Sequence, residues 1–463
     1  MIDYRFLEIA ELGDYDRLGQ ALAQRFPEAE HGLLIGELKE RLGLTCRAVL
    51  LESPYRDFDH SSVFALFYAK KHRPPARDCI RLHLFAGTDL TDEQYIGSYV
   101  VRDSRIDSCG RALLDPAYLI DRERAYLLGV EMTAHLAGTP LPKRVFPWMA
   151  QDTDIAVCAH VAVWTIVNYY GFKYPEYCRR SIGSIAEQTP PGLGRRVPSE
   201  GLDLSQVSDL LAANGFFPLV LSKDTLGELE FFRALFSYIE SGIPMVAAMT
   251  GRQHAVTIIG HGPVDEAALS AATDWSFHSD FIDDLIVVDD NRLPYSRLSR
   301  GGGTSDMAGF ADLDHVIVPL SEKMYLNASI VHERVLGLLK AGALAIDEPA
   351  VLRIYLTSNR SLKRELQTHQ HMNAVLKDVL TRLELPRFVW CAEIATPPQY
   401  ARQLTGARIL IDATAGTYER DPWLFWHDVL GLRYRSGSIM EALDVPIAPY
   451  DLYRNNLTEV KRR

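Results

Sequence analysis

Apolar and polar positions along the chain change rhythm twice. Residues 14–42 place Leu18, Leu22 and Phe26 at helical spacing, which predicts a helical stretch there. Runs rich in Val, Leu, Phe and Tyr follow at 48–52, 62–68, 80–85 and 95–101 and read as strands. They are separated by turn signals such as Pro74-Pro75 and Gly87-Thr88-Asp89. Several strands close in sequence predict an antiparallel sheet. The prolines at 140, 142 and 147 place a boundary near residue 145. The second unit, 146–325, opens with a strong helix, crosses a polar middle and ends in strands. The third, 326–463, predicts helices at 332–344 and 372–383 and strands at 387–395 and 407–412. The basic residues 461–463 read as a solvated end. The expected fold class is α+β in three units (1–145, 146–325, 326–463), without internal repeats. The glycine-rich stretch 300–305 lacks the Lys and the spacing of a phosphate loop and reads as a mobile loop, with a lid as its functional alternative.

The start of the second unit carries the chemistry. Asp152 to Asp154 have capping character, and an apolar run from Ala156 to Tyr170 ends at Gly171, a helix start and a helix stop. Apolar residues on more than one side predict a buried helix. Cys158 falls in its first turn, where free backbone N–H groups and the macrodipole favour a thiolate. A base is then sought elsewhere. Residues 244–249 read as a strand and 250–253 as a turn. His254 opens the next strand, which stops at Gly260. Residues 285–288 form another apolar strand, ending in Asp289-Asp290-Asn291. A Cys-bearing helix, a His at a strand start and an Asp after the next strand are the parts of a Cys–His–Asp triad. The pleat sends neighbours to opposite faces, so one of Asp289 and Asp290 is expected to reach His254, with Asp289 favoured because it follows Val288 directly.

Composition narrows the alternatives. Of the 463 residues, 47% are hydrophobic and 24% charged, enough apolar mass to exclude disorder as the main state. No apolar run approaches the ~20 residues that span a bilayer, so no membrane segment is expected. A net charge of −11 disfavours nucleic acid as a partner. The first residues lack a basic segment followed by an apolar one, so a secretory signal is not expected. Six scattered cysteines without a Cys-x-x-Cys pair argue against a disulfide framework or a zinc cluster. Reduced thiols in a cytoplasmic protein are the resulting expectation, with no cofactor and no metal.

The region 146–325 resembles the papain-like cysteine peptidases, nearest to the bacterial branch that includes the leader-peptide peptidases of bacteriocin exporters. That family's order of Gln, Cys at a helix start, His at a strand start and Asp or Asn after the next strand falls here on Gln151, Cys158, His254 and Asp289. The stretches 242–246 and 254–260 also look like the family's pattern. The resemblance implies that the Cys158 N–H and the Gln151 amide stabilise an oxyanion. Two departures stand out. Gln151 lies seven residues before the cysteine where the family has six, and Asp152 occupies the usual spacing. Ala159 stands where the family often has Gly.

Other histidines read as structural. His160 faces away from Cys158 on the helix, His261 is expected to face the opposite side of the strand from His254, and His315 reads as a turn residue. Tyr55, Arg56, Asp57 and His60 read as a solvated turn. The leading expectation is a cysteine hydrolase acting on a peptide or isopeptide bond of a peptide or protein substrate through an acyl-enzyme. The alternatives are a transglutaminase-like acyl transfer, and an inactive fold of the same type whose flanking units bind a regulatory protein partner.

Overall fold

A computed structural model describes every residue except 1, 153, 190–198, 200, 304–307, 347 and 370–371. Thr304 and Ser305 of the glycine-rich loop therefore lie outside the described residues. The chain is mixed α+β, 33% helix and 32% strand. No helix among the described residues is long and apolar enough to cross a membrane.

Three large sheets carry the architecture. The first is an antiparallel row of Asp3–Glu8, Ala48–Tyr55, Cys79–Phe85, Tyr95–Val101 and Cys109–Leu114, closed by the two-residue strand Trp148–Met149. The second runs in the order Phe217–Ser222, His315–Leu320, Met245–Met249, His254–His261, Asp284–Val288 and Ser296–Ser299. Arg124–Leu127 also pairs with His254–His261, and Thr458–Lys461 pairs with Arg124–Leu127. The third joins Ala350–Ser358, Phe388–Ala395, Ala407–Asp412, Trp423–His427, Leu432–Ser436 and Ile439–Leu443 as an antiparallel series, with Trp275–Phe277 parallel at its edge. One buried cluster is continuous from Leu7 in the first sheet, through Val256 in the second, to Ile409 in the third.

Local chemistry explains where the sequence reading and the structure part. The helical stretch at 14–42 is two helices, Asp14–Arg25 and Gly32–Arg41, because Pro27 cannot continue the first. The expected strand at 62–68 is instead the helix Phe58–Leu66 and a short turn. Asp57 caps it by accepting the His60 N–H at 2.9 Å, and Arg111 pairs with the Asp57 carboxylate at 2.9 Å. The cluster read as a solvated turn thus starts a helix, with Asp57 and His60 buried. The basic residues 461–463 are exposed as expected, but their backbone is tied down, since Thr458–Lys461 lies in the second sheet and the Arg462 N–H bonds the Glu123 carbonyl at 2.9 Å. Two glycines read as stops lie inside their elements. A Cβ at Gly171 would sit 2.8 Å from the Arg179 backbone nitrogen, and one at Gly260 would sit 2.1 Å from the Tyr126 carbonyl oxygen. Both allow close backbone approach rather than ending an element.

Candidate active site

Cys158 is the first residue of the helix Cys158–Lys173, which follows Val157 in extended conformation. Every residue from Ala159 to Tyr170 is buried, so the helix is wedged into the core and its start is fixed. The Thr165 hydroxyl meets that of Thr257 on the adjoining strand at 3.0 Å. His160 completes the first turn. Its Nδ1 accepts the Val157 N–H at 3.3 Å and its Nε2 meets the Thr189 hydroxyl at 2.9 Å. Burial pushes its pKa down to about 4, so it is a neutral structural imidazole.

His254 opens the strand His254–His261 and pairs with Met249 across a short turn. Gln253, just before it, has φ 51°, a left-handed backbone that only the tight turn requires. The His254 Nε2 lies 3.0 Å from Asp289 Oδ1, and the Cys158 side chain is close enough to the same ring to raise its pKa. With Nε2 committed to Asp289, Nδ1 is the nitrogen left for sulfur. Burial alone would lower the imidazole pKa. The bond to Asp289, the nearness of Cys158 and the charges of Asp289 and Asp290 override it and push it up to about 10.

Asp289 follows the strand Asp284–Val288. Burial opposes its charge, but His254, the Asn291 N–H at 2.9 Å and the nearby Arg292 hold its pKa below the usual value. Its carbonyl accepts the Trp148 indole N–H at 2.6 Å. The strand's end does not exclude Asp290 from the ring as the pleat predicts. Asp290 Oδ1 lies 3.8 Å from His254 Nε2 because the chain turns immediately after Val288. Asp290 is 5% exposed, and its two oxygens have no hydrogen-bond partner among the described residues. Burial and the Asp289 charge push its pKa up to about 7.

Gln151 is placed beside this loop. Its Nε2 donates to Asn291 Oδ1 at 2.8 Å, and its carbonyl accepts from Arg102 at 3.0 Å. Between Gln151 and Cys158 the backbones of Asp152 and Ala156 pair with each other. There the Asp152 N–H bonds the Ala156 carbonyl at 2.8 Å and the Ala156 N–H bonds the Asp152 carbonyl at 2.9 Å. The Asp152 carboxylate turns to the first unit, accepting from the Tyr68 hydroxyl at 2.7 Å with Arg102 at 3.7 Å. The structure thus pairs His254 with Asp289, sets Cys158 near the same ring, and reaches Gln151 through Asn291.

Several supporting residues escaped the sequence reading. The loop 289–295 is clamped by the first unit. Arg41 donates to the carbonyls of Leu119 at 2.8 Å and of Leu293 and Pro294 at 3.3 Å each, Glu37 accepts the Leu293 N–H at 3.0 Å, and the Tyr295 hydroxyl donates to the Leu114 carbonyl at 3.0 Å. The contacts to the loop span more than 180 residues each, and Arg41 to Leu119 spans 78, so they leave no local pattern. The string Asp289-Asp290-Asn291 was the one available signal.

Among the described residues, two sets of side chains could hold a metal ion, His254–Asp289–Asp290 and Glu240–His261–His278, each with atoms within 4.8 Å of one another. The first set is the triad's own hydrogen-bonding group. In the second, Glu240 is engaged by Arg353 at 2.7 Å and His261 at 2.7 Å. Burial would raise the Glu240 pKa, but Arg353 and the two imidazoles hold it well below the usual range. A guanidinium so close opposes a divalent cation, and the set reads as a buried ion-pair network. His315 opens the strand His315–Leu320 rather than a turn, pairing with Ala248 and Ser222. No protein-family model, no curated protein and no solved structure matches the chain.

Proposed function

We propose that the chain is a cysteine hydrolase of the papain-like kind, acting on a peptide or isopeptide bond through an acyl-enzyme. The observation that carries this reading is the series Cys158–His254–Asp289. The Cys158 sulfur attacks the carbonyl carbon as the thiolate. The His254 imidazolium gives its proton to the leaving amine, and water then resolves the thioester, returning a proton to the ring. Asp289 orients the ring and balances its charge. The Cys158 N–H at the helix start faces the developing oxyanion, and Gln151 joins it by exchanging Asn291 for that oxygen. Acyl transfer to an amine in place of water would use the same groups. The six unpaired cysteines fit a reducing, cytoplasmic compartment.

A second reading, an inactive fold serving as a regulator, is favoured by one observation, the engagement of the Gln151 amide with Asn291. A thiol-directed electrophile separates the two. Cys178 is the exposed cysteine and serves as the internal reference. Labelling of Cys158 near neutral pH, read by peptide mass spectrometry, is expected to exceed that of Cys178 by at least about a hundredfold and to fall to the reference rate in H254A. Equal, slow labelling of both cysteines would sink the enzymatic reading.

A further inference from the structure

The helix that starts at Cys158 ends at Lys173, about 22 Å away at 1.5 Å per residue. That far end forms one wall of a separate cleft of about 1080 Å³ between the second and third sheets. Tyr170, Tyr174 and Tyr177 line this wall. Lys173 lies among the rings, its ammonium 2.6 Å from the Tyr169 hydroxyl and 5.4 Å from the Tyr174 ring centroid.

The opposite wall is cationic. Arg360 and Arg364 stand one turn apart on the helix Asn359–Thr368, and Arg387 precedes the strand Phe388–Ala395. All three are exposed, and among the described residues none forms an ion pair. Two carboxylates, Glu176 and Glu322, also reach the cleft, while Glu240 is committed to Arg353. In a chain of net charge −11, carboxylates to neutralise arginines are plentiful elsewhere, as Arg233–Asp280 at 2.7 Å and Arg353–Glu393 at 3.0 Å illustrate. Like charges one turn apart repel. Three guanidiniums without a carboxylate partner, Arg387 resting 5.2 Å from the Phe388 ring centroid, share the cleft's lining with the tyrosines and leave room for an anion supplied from outside.

We propose that this cleft is a docking groove for an acidic peptide segment of a partner protein. Guanidinium forks match carboxylates in a bidentate way. Tyrosine and arginine are the side chains enriched where proteins bind one another, because they offer large contact area and a polar tip. The Ser361 hydroxyl and the Asn456 amide on the lining suit an extended backbone, whereas the Ser358 hydroxyl and the Asn455 amide are committed to Ser361 and Glu240. The volume of about 1080 Å³ lies just above the roughly 300–1,000 Å³ of small-molecule pockets, which favours a peptide over a compact ligand. The groove stands apart from the sulfur and does not depend on catalysis.

The test is selection of phage-displayed random dodecapeptides on the full chain, followed by fluorescence anisotropy of a fluorescein-labelled selected peptide. Selected sequences are expected to be enriched in Asp and Glu. Their affinity should fall at least about tenfold in R360E/R364E, and likewise between about 50 and about 500 mM salt. C158A should bind as the wild type does. Because the three arginines are exposed, the variants should keep the wild-type circular dichroism, and R387E repeats the test at an independent position. Peptides without acidic bias, or binding indifferent to both variants, would overturn the proposal. Displacement of the peptide by equimolar inorganic pyrophosphate would overturn it too, by pointing to a small anion.

Discussion

Asp289→Asn isolates the charge behind the imidazole. The side chain keeps its shape, and its oxygen can still accept from His254 and from the Asn291 N–H, now at 3.0 and 2.9 Å. What is lost is the carboxylate's charge. A charge-assisted hydrogen bond exceeds a neutral one by about 1–1.5 kcal/mol, and one pH unit corresponds to about 1.4 kcal/mol. The His254 pKa, raised to about 10, should therefore drop by about one pH unit in the variant. The drop stops there because Asp290 ionises more readily once its charged neighbour is gone and, 3.8 Å from the ring, takes over part of the task. D289N/D290N should fall further. Stability follows with a defined sign. A histidine raised from 6.5 to about 10 contributes stability that is fully present below pH 6.5 and lost as pH rises through 10. D289N should thus be less stable by about 1.4 kcal/mol up to roughly pH 9, and the deficit should vanish above roughly pH 10. The assay is NMR titration of histidine labelled with ¹³C at Cε1, the His254 signal being assigned by its loss in H254A. A His254 resonance that titrates below pH 8 in the wild type, or at the same pH in both proteins, would refute the argument.

Three other variants probe the surroundings of the site. Trp148→Phe removes the indole donor from the Asp289 carbonyl (2.6 Å) and should lower stability by about 1–3 kcal/mol in urea unfolding. It should also slow alkylation of Cys158 while leaving Cys178 unchanged, which a purely structural role would not do. Asp290→Asn should raise the melting temperature at pH 8 and leave it unchanged near pH 3. A carboxyl raised from 3.8 to about 7 costs stability only as pH climbs through that interval, up to about 4 kcal/mol in all. Glu240→Ala leaves Arg353 facing Glu393 alone in the core and should cost about 3–5 kcal/mol by urea unfolding.

The parts of the site that are legible in sequence are those whose position follows from a local pattern. Cys158 sits at a polar-to-apolar change that becomes a helix start, and His254 and Asp289 stand at the ends of apolar runs that become adjacent strands. Ser62 to Tyr68 misled because aromatic and β-branched content mimics a strand, whereas the Asp57 cap and the burial of Asp59 and His60 decide for a helix. The role of Asp290 was hidden because alternation along a strand stops applying once the strand ends. The strand at Thr458–Lys461 alternates over four residues only, with Thr458 and Val460 half-buried between exposed Glu459 and Lys461, too short a pattern to read as a strand. Trp148 and Arg41 act on Asp289 through contacts made by the tertiary fold alone.

The clamp from the first sheet has a bearing on how this chain would change under selection. Because Arg41, Glu37 and Trp148 hold the loop that starts at Asp289, the carboxylate's aim is set by residues far from it in sequence, and of these Trp148 also lines the small cavity at Cys158. Substitutions limited to the side chains around the sulfur would leave the hold of Arg41 and Glu37 untouched. A change in side-chain length within the helix Gly32–Arg41 would re-aim the Asp289 carboxylate from a distance.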